Sequence, residues 1–257
     1  MILGRSFGNS HDLRNITEGK VRADLKLTEH IHLVGGGLMG FGLSHEGDCH
    51  IYAITDGIET AIIDAGVGID PEHIVSNIEN AGIRANTIKY LVLTHCHGDH
   101  AGGASFLREI YQLEVIAPAG TRLWLETADE TSTNLSRARA AGRYPQSYKM
   151  RPVKVAHEVK DGEKIQVGSL TLQAYSTPGH AARHMSYLLT QQGKRYLFGG
   201  DLVFAGGQVV LNWAEETSVY ALGESILRFR NGNIDALLPG HAAIALRNGQ
   251  THIDAAI

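Results

Sequence analysis

Only two cysteines stand among the 257 residues, so no disulfide framework can hold this chain and packing must. No stretch approaches the roughly 18 apolar residues of a membrane span. The opening MILGRSFGNSHDLRN lacks the roughly 7–15-residue apolar core of a secretory signal. A cytoplasmic protein with no membrane partner is therefore expected. A basic surplus is also missing: the formal net charge is −4, which argues against a nucleic-acid partner. Repeats, low-complexity tracts and Pro/Ser-rich linkers are absent as well. With 43% hydrophobic and 19% charged residues, the chain is not disordered and can bury a core. What it has in excess is histidine, 14 in all.

The first 28 residues are polar and aperiodic and are expected to form an N-terminal arm. Residues 29–257 read as a single domain. Strands are expected at Ile31–Val34, Cys49–Thr55, Glu59–Asp64, Tyr90–Leu93 and Val115–Ala117, then at Val153–Val159, Ile165–Val167, Leu170–Ser176, Met185–Thr190 and Arg195–Phe198, and an apolar Ala236–Leu238 run finishes the core. Asp70-Pro71 should cap a helix that Gly82 closes, with Ile74, Ile78 and Ala81 on its apolar face. A second helix is expected from Ala101 to about Gln112 with Phe106, Leu107 and Ile110 inward, and another from Val219 to Phe229. Residues 121–142 look helical but polar. The alternation of strands and helices argues for one α/β unit with two similar halves.

After the Tyr90–Leu93 run stands Thr94-His95-Cys96-His97-Gly98-Asp99-His100. In an extended segment His95 and His97 point to the same side, while Asp99 and His100 fall at the turn into the next helix. Neutral imidazole with carboxylate suits zinc, manganese or iron. Four candidate ligands in six residues are too many for one closed tetrahedral site, and they read better as halves of two sites. Partners exist downstream, each after an apolar run: His180 in STPGH, Asp201 in FGGD and His241 in LPGH.

HCHGDH, TPGH, GGD and PGH occur in that order, with 80, 21 and 40 residues from His100 to His180, to Asp201 and to His241. Over nearly the whole chain from about residue 30, this pattern resembles the metallo-β-lactamase fold metallohydrolases, in their glyoxalase II and lactonase-like branch. The resemblance implies a four-layer αββα sandwich of two mixed β-sheets flanked by helices. It implies two divalent metal ions, zinc first and manganese or iron as alternatives. His95, His97 and His180 would hold the first ion, Asp99, His100 and His241 the second, and Asp201 would bridge them. Two divalent ions against two aspartates leave a positive surplus, which would stabilise a metal-bridging hydroxide as nucleophile. The implied function is a dinuclear metal-dependent hydrolase of a small ester, thioester or lactone, with Asp99 a ligand that could also relay a proton. The alternatives are a metal-dependent phosphodiesterase and an iron-dependent redox member of the same fold.

Departures narrow the field. β-Lactamases of this fold lack the carboxylate at the position of Asp201. Glyoxalase II shares THCHGDHAGG, TPGH and GDLVF but carries a helical glutathione-binding domain, whereas 16 residues follow His241. Acyl-homoserine lactonases place Tyr where Phe204 stands. Persulfide dioxygenases carry a GRTDFQ-like stretch that residues 206–209 do not match, and no case exists for the RNA-binding arm of the RNase Z group.

Other readings of these residues lose ground. A closed structural zinc module would prefer cysteine, and neither Cys here has a CxxC partner; Cys96 reads as a packing residue. Gly35 to Gly40 literally matches G-x-G-x-x-G, but no helix can follow in FGLSHEG, so a hairpin loop at the cleft mouth is expected instead of a dinucleotide site. Asp64, in IIDAG, and His184 are expected to orient the metal ligands, with a turn cap the competing role for Asp64. His45 and His50 flank the Gly-rich loop, and the remaining histidines read as ordinary surface or core residues. Substrate contacts are expected from Met39, Phe41, Arg143, Tyr144, Phe204, Asn212 and Trp213, on loops over the cleft. The partner expected is a small molecule, with homodimerisation left open.

Overall fold

The computed structural model describes residues 25–211 and 216–257. Asn212 and Trp213, and all but the last four residues of the expected arm, lie outside them. In chain order the elements are β1 (Leu25–Lys26), β2 (Ile31–Gly35), β3 (Ile51–Thr55), β4 (Thr60–Ile63), α1 (Glu72–Asn80), β5 (Ile88–Val92), α2 (Gly98–Ala101), α3 (Ala104–Tyr111), β6 (Glu114–Pro118), α4 (Arg122–Thr127), α5 (Leu135–Ala140), β7 (His157–Val159), β8 (Lys164–Val167), β9 (Leu170–Ser176), β10 (Met185–Gln191), β11 (Lys194–Gly200), α6 (Val219–Leu227), β12 (Ala236–Pro239) and α7 (Gly249–Asp254).

Strands β1 to β7 form one sheet in sequence order; the second sheet runs β12-β11-β10-β9-β8. Both are mixed. β2, β3 and β4 pair antiparallel and β4, β5, β6 and β7 parallel, while β8 to β11 are antiparallel and β11 pairs parallel with β12. Alternation along the strands divides the apolar residues. Ile31, Leu33, Tyr52, Ile54 and Ile63 meet Leu172, Tyr187, Leu189 and Phe198 in a core between the sheets. Residues of opposite parity, such as Ile51, Ile62 and Leu91, pack under α1 and α3 through Ile74, Ile78 and Leu107. Leu188, Leu197 and Leu237 do the same under α6 and α7, through Leu222, Ile226 and Ile253. Two sheets face to face with helices outside make the αββα sandwich.

Several local expectations are corrected. Asp70 does not cap α1: it has φ 48°, and no side chain caps the helix at Pro71. Gly82, at φ 72°, does close it. The helix expected over 101–112 is broken at Gly102-Gly103. A Cβ on Gly103 would lie 2.1 Å from the Ala65 carbonyl oxygen, so the segment must approach the chain after β4 closely. The break resets the helical phase: Ala104 and Leu107 are buried, and Ile110 is 51% exposed. The strand expected from Val153 narrows to β7, because Val153 N–H bonds to the Leu125 carbonyl. No helix follows the Gly-rich segment. Residues 36–50 form the loop between β2 and β3, closed by Gly37 N–H to Asp48 O at 3.0 Å and Leu43 N–H to Gly36 O at 2.7 Å.

His50 lies beneath that loop, buried against Gly36 and Gly40, with Nδ1 3.0 Å from the Pro239 carbonyl oxygen and Nε2 without a hydrogen-bond partner. Burial pushes its pKa down from 6.5 to about 4. As pH falls between these values, the unfolded chain takes up a proton that the folded chain refuses, so stability drops. In urea denaturation of metal-free protein between about pH 6.5 and 4.5, His50→Gln is expected to flatten the loss of stability by up to about 1.4 kcal/mol per pH unit. An unchanged slope would show that His50 is not held neutral.

Candidate metal centre

β11 and β12 are parallel, so Asp201 and His241, which follow their C-terminal ends, share one edge of the sandwich. The first sheet delivers the 95–100 motif to the same edge, at the end of β5. There the sheets are tied across: Met185 N–H bonds to Thr94 O at 2.8 Å, and the Tyr187 hydroxyl to Leu93 O at 2.7 Å. His97 is extended at ψ 154°, and α2 then lifts Asp99 and His100 on its single turn. His180 sits in the link between β9 and β10.

The result is a buried cluster of imidazoles and carboxylates. His97 Nδ1 lies 3.1 Å from His95 Nε2 and 3.2 Å from His180 Nε2, so these three nitrogens face one point. Beside it, His241 Nε2 lies 3.1 Å from Asp99 Oδ2, and His100 Nε2 lies 3.8 Å from the same oxygen. Asp201 stands between the groups: its Oδ2 is 3.4 Å from His180 Nε2 and 3.6 Å from His241 Nε2, and its Oδ1 is 3.4 Å from His100 Nε2.

Hydrogen bonds cannot satisfy this arrangement. His100 Nε2 and Asp201 Oδ1 are buried with no hydrogen-bond partner, and one Nδ1 cannot serve two facing imidazole nitrogens. Meanwhile the outward nitrogens are occupied. His95 Nδ1 meets Thr94 Oγ1 at 3.0 Å, His97 Nε2 meets Glu216 Oε1 at 2.8 Å, His100 Nδ1 meets Asp64 Oδ2 at 2.8 Å, and His180 Nδ1 meets the Val210 carbonyl at 3.1 Å. An outer acceptor on each ring places the N–H outward and turns the opposite lone pair inward, as metal-ligating histidines require. Orphaned donor atoms of this kind fit a pair of divalent cations.

The electrostatics divide the rings. Burial, then the positive character of His100 and His97, holds His95 well below the ordinary imidazole range, and burial lowers His180, whereas at His100 and His241 burial is outweighed by the surrounding carboxylates, which raise both. Neutral imidazole is the ligating form. Burial opposes ionisation of Asp99 and Asp201, yet the neighbouring histidines outweigh it and keep both carboxyls below the usual range. Burial pushes the Cys96 thiol up to about 12, and Cys49 is buried beside Asp64 and His100 with its thiol also raised.

Asp64 anchors the network from φ 61°. Its carboxylate accepts from Thr94 N–H, Thr94 Oγ1–H and His100 Nδ1–H, each at 2.8 Å. His184 lies behind Asp201, accepting the Asp201 N–H at its Nε2 (3.0 Å), with its Nδ1 2.8 Å from Thr177 Oγ1. Gly240 has no room for a side chain, since a Cβ would meet Asp201 Oδ1 at 2.4 Å.

A cleft of about 180 Å³ opens over the cluster. Of the expected substrate residues, Met39, Arg143 and Tyr144 line it, together with Arg137 of α5. The Tyr144 hydroxyl donates to Asp99 Oδ1 at 3.2 Å. Phe41 is not among the lining residues; its ring lies 5.4 Å from that of His50. Phe204 is buried with its ring 6.2 Å from His241, away from the cleft lining. Glu216, which sequence reasoning did not single out, lies 119 residues from the histidine it contacts, and no local pattern marks it. Arg137 was missed for the same reason.

A sandwich of this order, with His and Asp clusters at one sheet edge, defines a class of fold-and-site that can carry a dinuclear metal centre. The metallo-beta-lactamase superfamily profile matches residues 46–241, and the chain belongs to that superfamily. It is similar to the lactamase-like protein aptB of Emericella nidulans, at 29% identity over 85% of this chain and 58% of that protein. It is also similar to a hydroxyacylglutathione hydrolase of Legionella pneumophila (strain Lens), at 29% identity over 70% of this chain and 59% of that one. This chain thus spans less than two thirds of either relative. Among solved structures, a mutant metallo-beta-lactamase from Cronobacter sakazakii superposes with a TM-score of 0.64 at 25% identity, covering 82% of this chain and 77% of that one.

Removing the outer acceptor tests whether the cluster is built for metal. Asp64→Asn is expected to lower metal affinity roughly 10–100-fold, measured by competition with a chromophoric chelator, while circular dichroism stays native. Unchanged affinity would make Asp64 a turn residue only.

Proposed function

We propose that this protein is a dinuclear metal-dependent hydrolase of a small ester, thioester or lactone. The observation that carries the reading is the pair of ligand sets, His95/His97/His180 and Asp99/His100/His241, standing side by side about Asp201 beneath an open cleft. In this reading His95, His97 and His180 would hold one ion and Asp99, His100 and His241 another, with Asp201 standing between the two sets. Zinc is the proposed metal, manganese and iron being the alternatives for imidazole and carboxylate donors. When bound, two such ions would supply Lewis acidity toward a carbonyl oxygen and a nucleophile available at neutral pH. The similarity to a protein named for hydrolysis of hydroxyacylglutathione supports an acyl bond as target.

The chain's own residues do the rest. Asp99 presents Oδ2 to His241 and offers Oδ1 to the Tyr144 hydroxyl at the cleft wall. In this reading that oxygen takes a proton from the attacking water and returns it to the departing alkoxide or thiolate. Tyr144, with its phenol pushed up by burial, stays protonated and fixes which Asp99 oxygen faces inward. Glu216 and Asp64 hold the imidazoles at the angle the ions need.

We further propose that 29–257 is one catalytic domain with residues 1–28 as an arm, acting on a small molecule rather than on nucleic acid. No helix among the described residues is long and apolar enough to cross a membrane. Both cysteines are free and buried, which suits the reducing cytoplasm.

The test is a turnover screen of zinc-loaded protein on thioesters, aryl esters, γ- and δ-lactones and bis-p-nitrophenyl phosphate. Acyl substrates are expected to lead, and preferred turnover of the phosphodiester would overturn the assignment. Asp99→Asn, with two metals per chain verified by atomic emission, should lower kcat by about 10²–10⁴-fold; undiminished kcat would remove the proton transfer from Asp99.

A further inference from the structure

The cleft has two unlike walls. One is the loop between β2 and β3, an ordered structure: Gly40 N–H bonds to Gly37 O at 3.0 Å, and Met39 O accepts the Ala242 N–H at 2.6 Å. Despite that order it displays Leu38, Met39 and Phe41 to solvent at 80%, 57% and 51% exposure, with Met39 on the cleft itself. Three large exposed apolar side chains on one ordered loop, one of them on the cleft, mark a contact surface for an apolar group.

The other wall is α5 and the turn after it, where Arg137 and Arg143 line the cleft. Arg139, on the same helix, is committed to Glu130 and the Tyr148 carbonyl. Arg143 is different: among the described residues its guanidinium has no ion pair or hydrogen bond, although it directly precedes the tyrosine that touches Asp99. The carboxylates of the cleft floor, Asp99 and Asp201, face histidines rather than this arginine. An unpaired guanidinium on the cleft wall attracts an anion, and its planar fork matches a carboxylate bidentately.

We infer that the substrate is an anionic amphiphile. It would be an acyl ester or thioester with an apolar arm on the Leu38–Phe41 loop and a carboxylate held by Arg143. This rests on the hydrolase reading and narrows its substrate class; the carboxylate could belong to the acyl part or to the leaving group.

Binding of uncleavable thioethers tests it without turnover. In calorimetry with zinc-loaded protein, 3-(hexylthio)propanoate should bind at least 10-fold more tightly than its primary amide. Arg143→Gln should erase that preference while leaving amide affinity unchanged, and Arg143→Lys should retain part of it. Leu38→Ser with Phe41→Ser should weaken both hexyl ligands several-fold but not the ethyl homologue. Equal binding of acid and amide overturns the inference. So does a preference that survives Arg143→Gln, because the carboxylate would then be held elsewhere. Adipoyl and 3-mercaptopropionyl thioesters then show which part of the substrate carries the charge. Absence of turnover on every ester would sink the hydrolase reading and leave these binding results standing.

Discussion

A buried carboxylate that can neither reach water nor be spared organises this molecule. Asp64 leaves β4 in a left-handed conformation and spends its two oxygens on three donors, two from Thr94 and one from His100. Through Thr94 the same carboxylate also reaches His95, whose Nδ1 meets the threonine hydroxyl. One acid thus sets the tilt of a histidine from each of the two clusters. The surrounding fold serves the same end, because the sheets are stitched together at Thr94 and Leu93, where β5 gives way to the histidines.

The clustering of His95, His97, Asp99 and His100 was legible because their chemistry is local. The four sit within six residues, and spacing along an extended chain and into a helix already assigns their directions. His180, Asp201 and His241 were legible for another reason: each follows an apolar run that ends in glycine and one ligand, the signature of a strand end. The sandwich was readable from strand alternation and from the resemblance together. What was not readable comes from contacts between distant segments. Glu216 reaches His97 across 119 residues. Arg137 gains its place on the cleft wall only when α5 folds over the centre.

The local misreadings share a cause. Gly102 and Gly103 sit inside an apolar pattern of helical period, and nothing in that pattern shows that the Ala65 carbonyl must pass within contact distance. Asp70 carries the right side chain for a cap, but the turn before α1 needs a positive φ there. In both places tertiary packing overrode a sound local preference.

The loop bearing Leu38 and Met39 is not an independent lid. Its Met39 carbonyl is bonded to Ala242, the residue after His241, and beneath it His50 donates its backbone N–H to Gly240 O at 2.6 Å. A ligand that shifts this loop therefore also pulls on the segment carrying His241. Linkage makes any such coupling reciprocal: whatever rests on the loop and whatever sits beside His241 must alter each other's affinity by the same factor. Exchanging this loop for another would then disturb the position of His241 along with the mouth of the cleft.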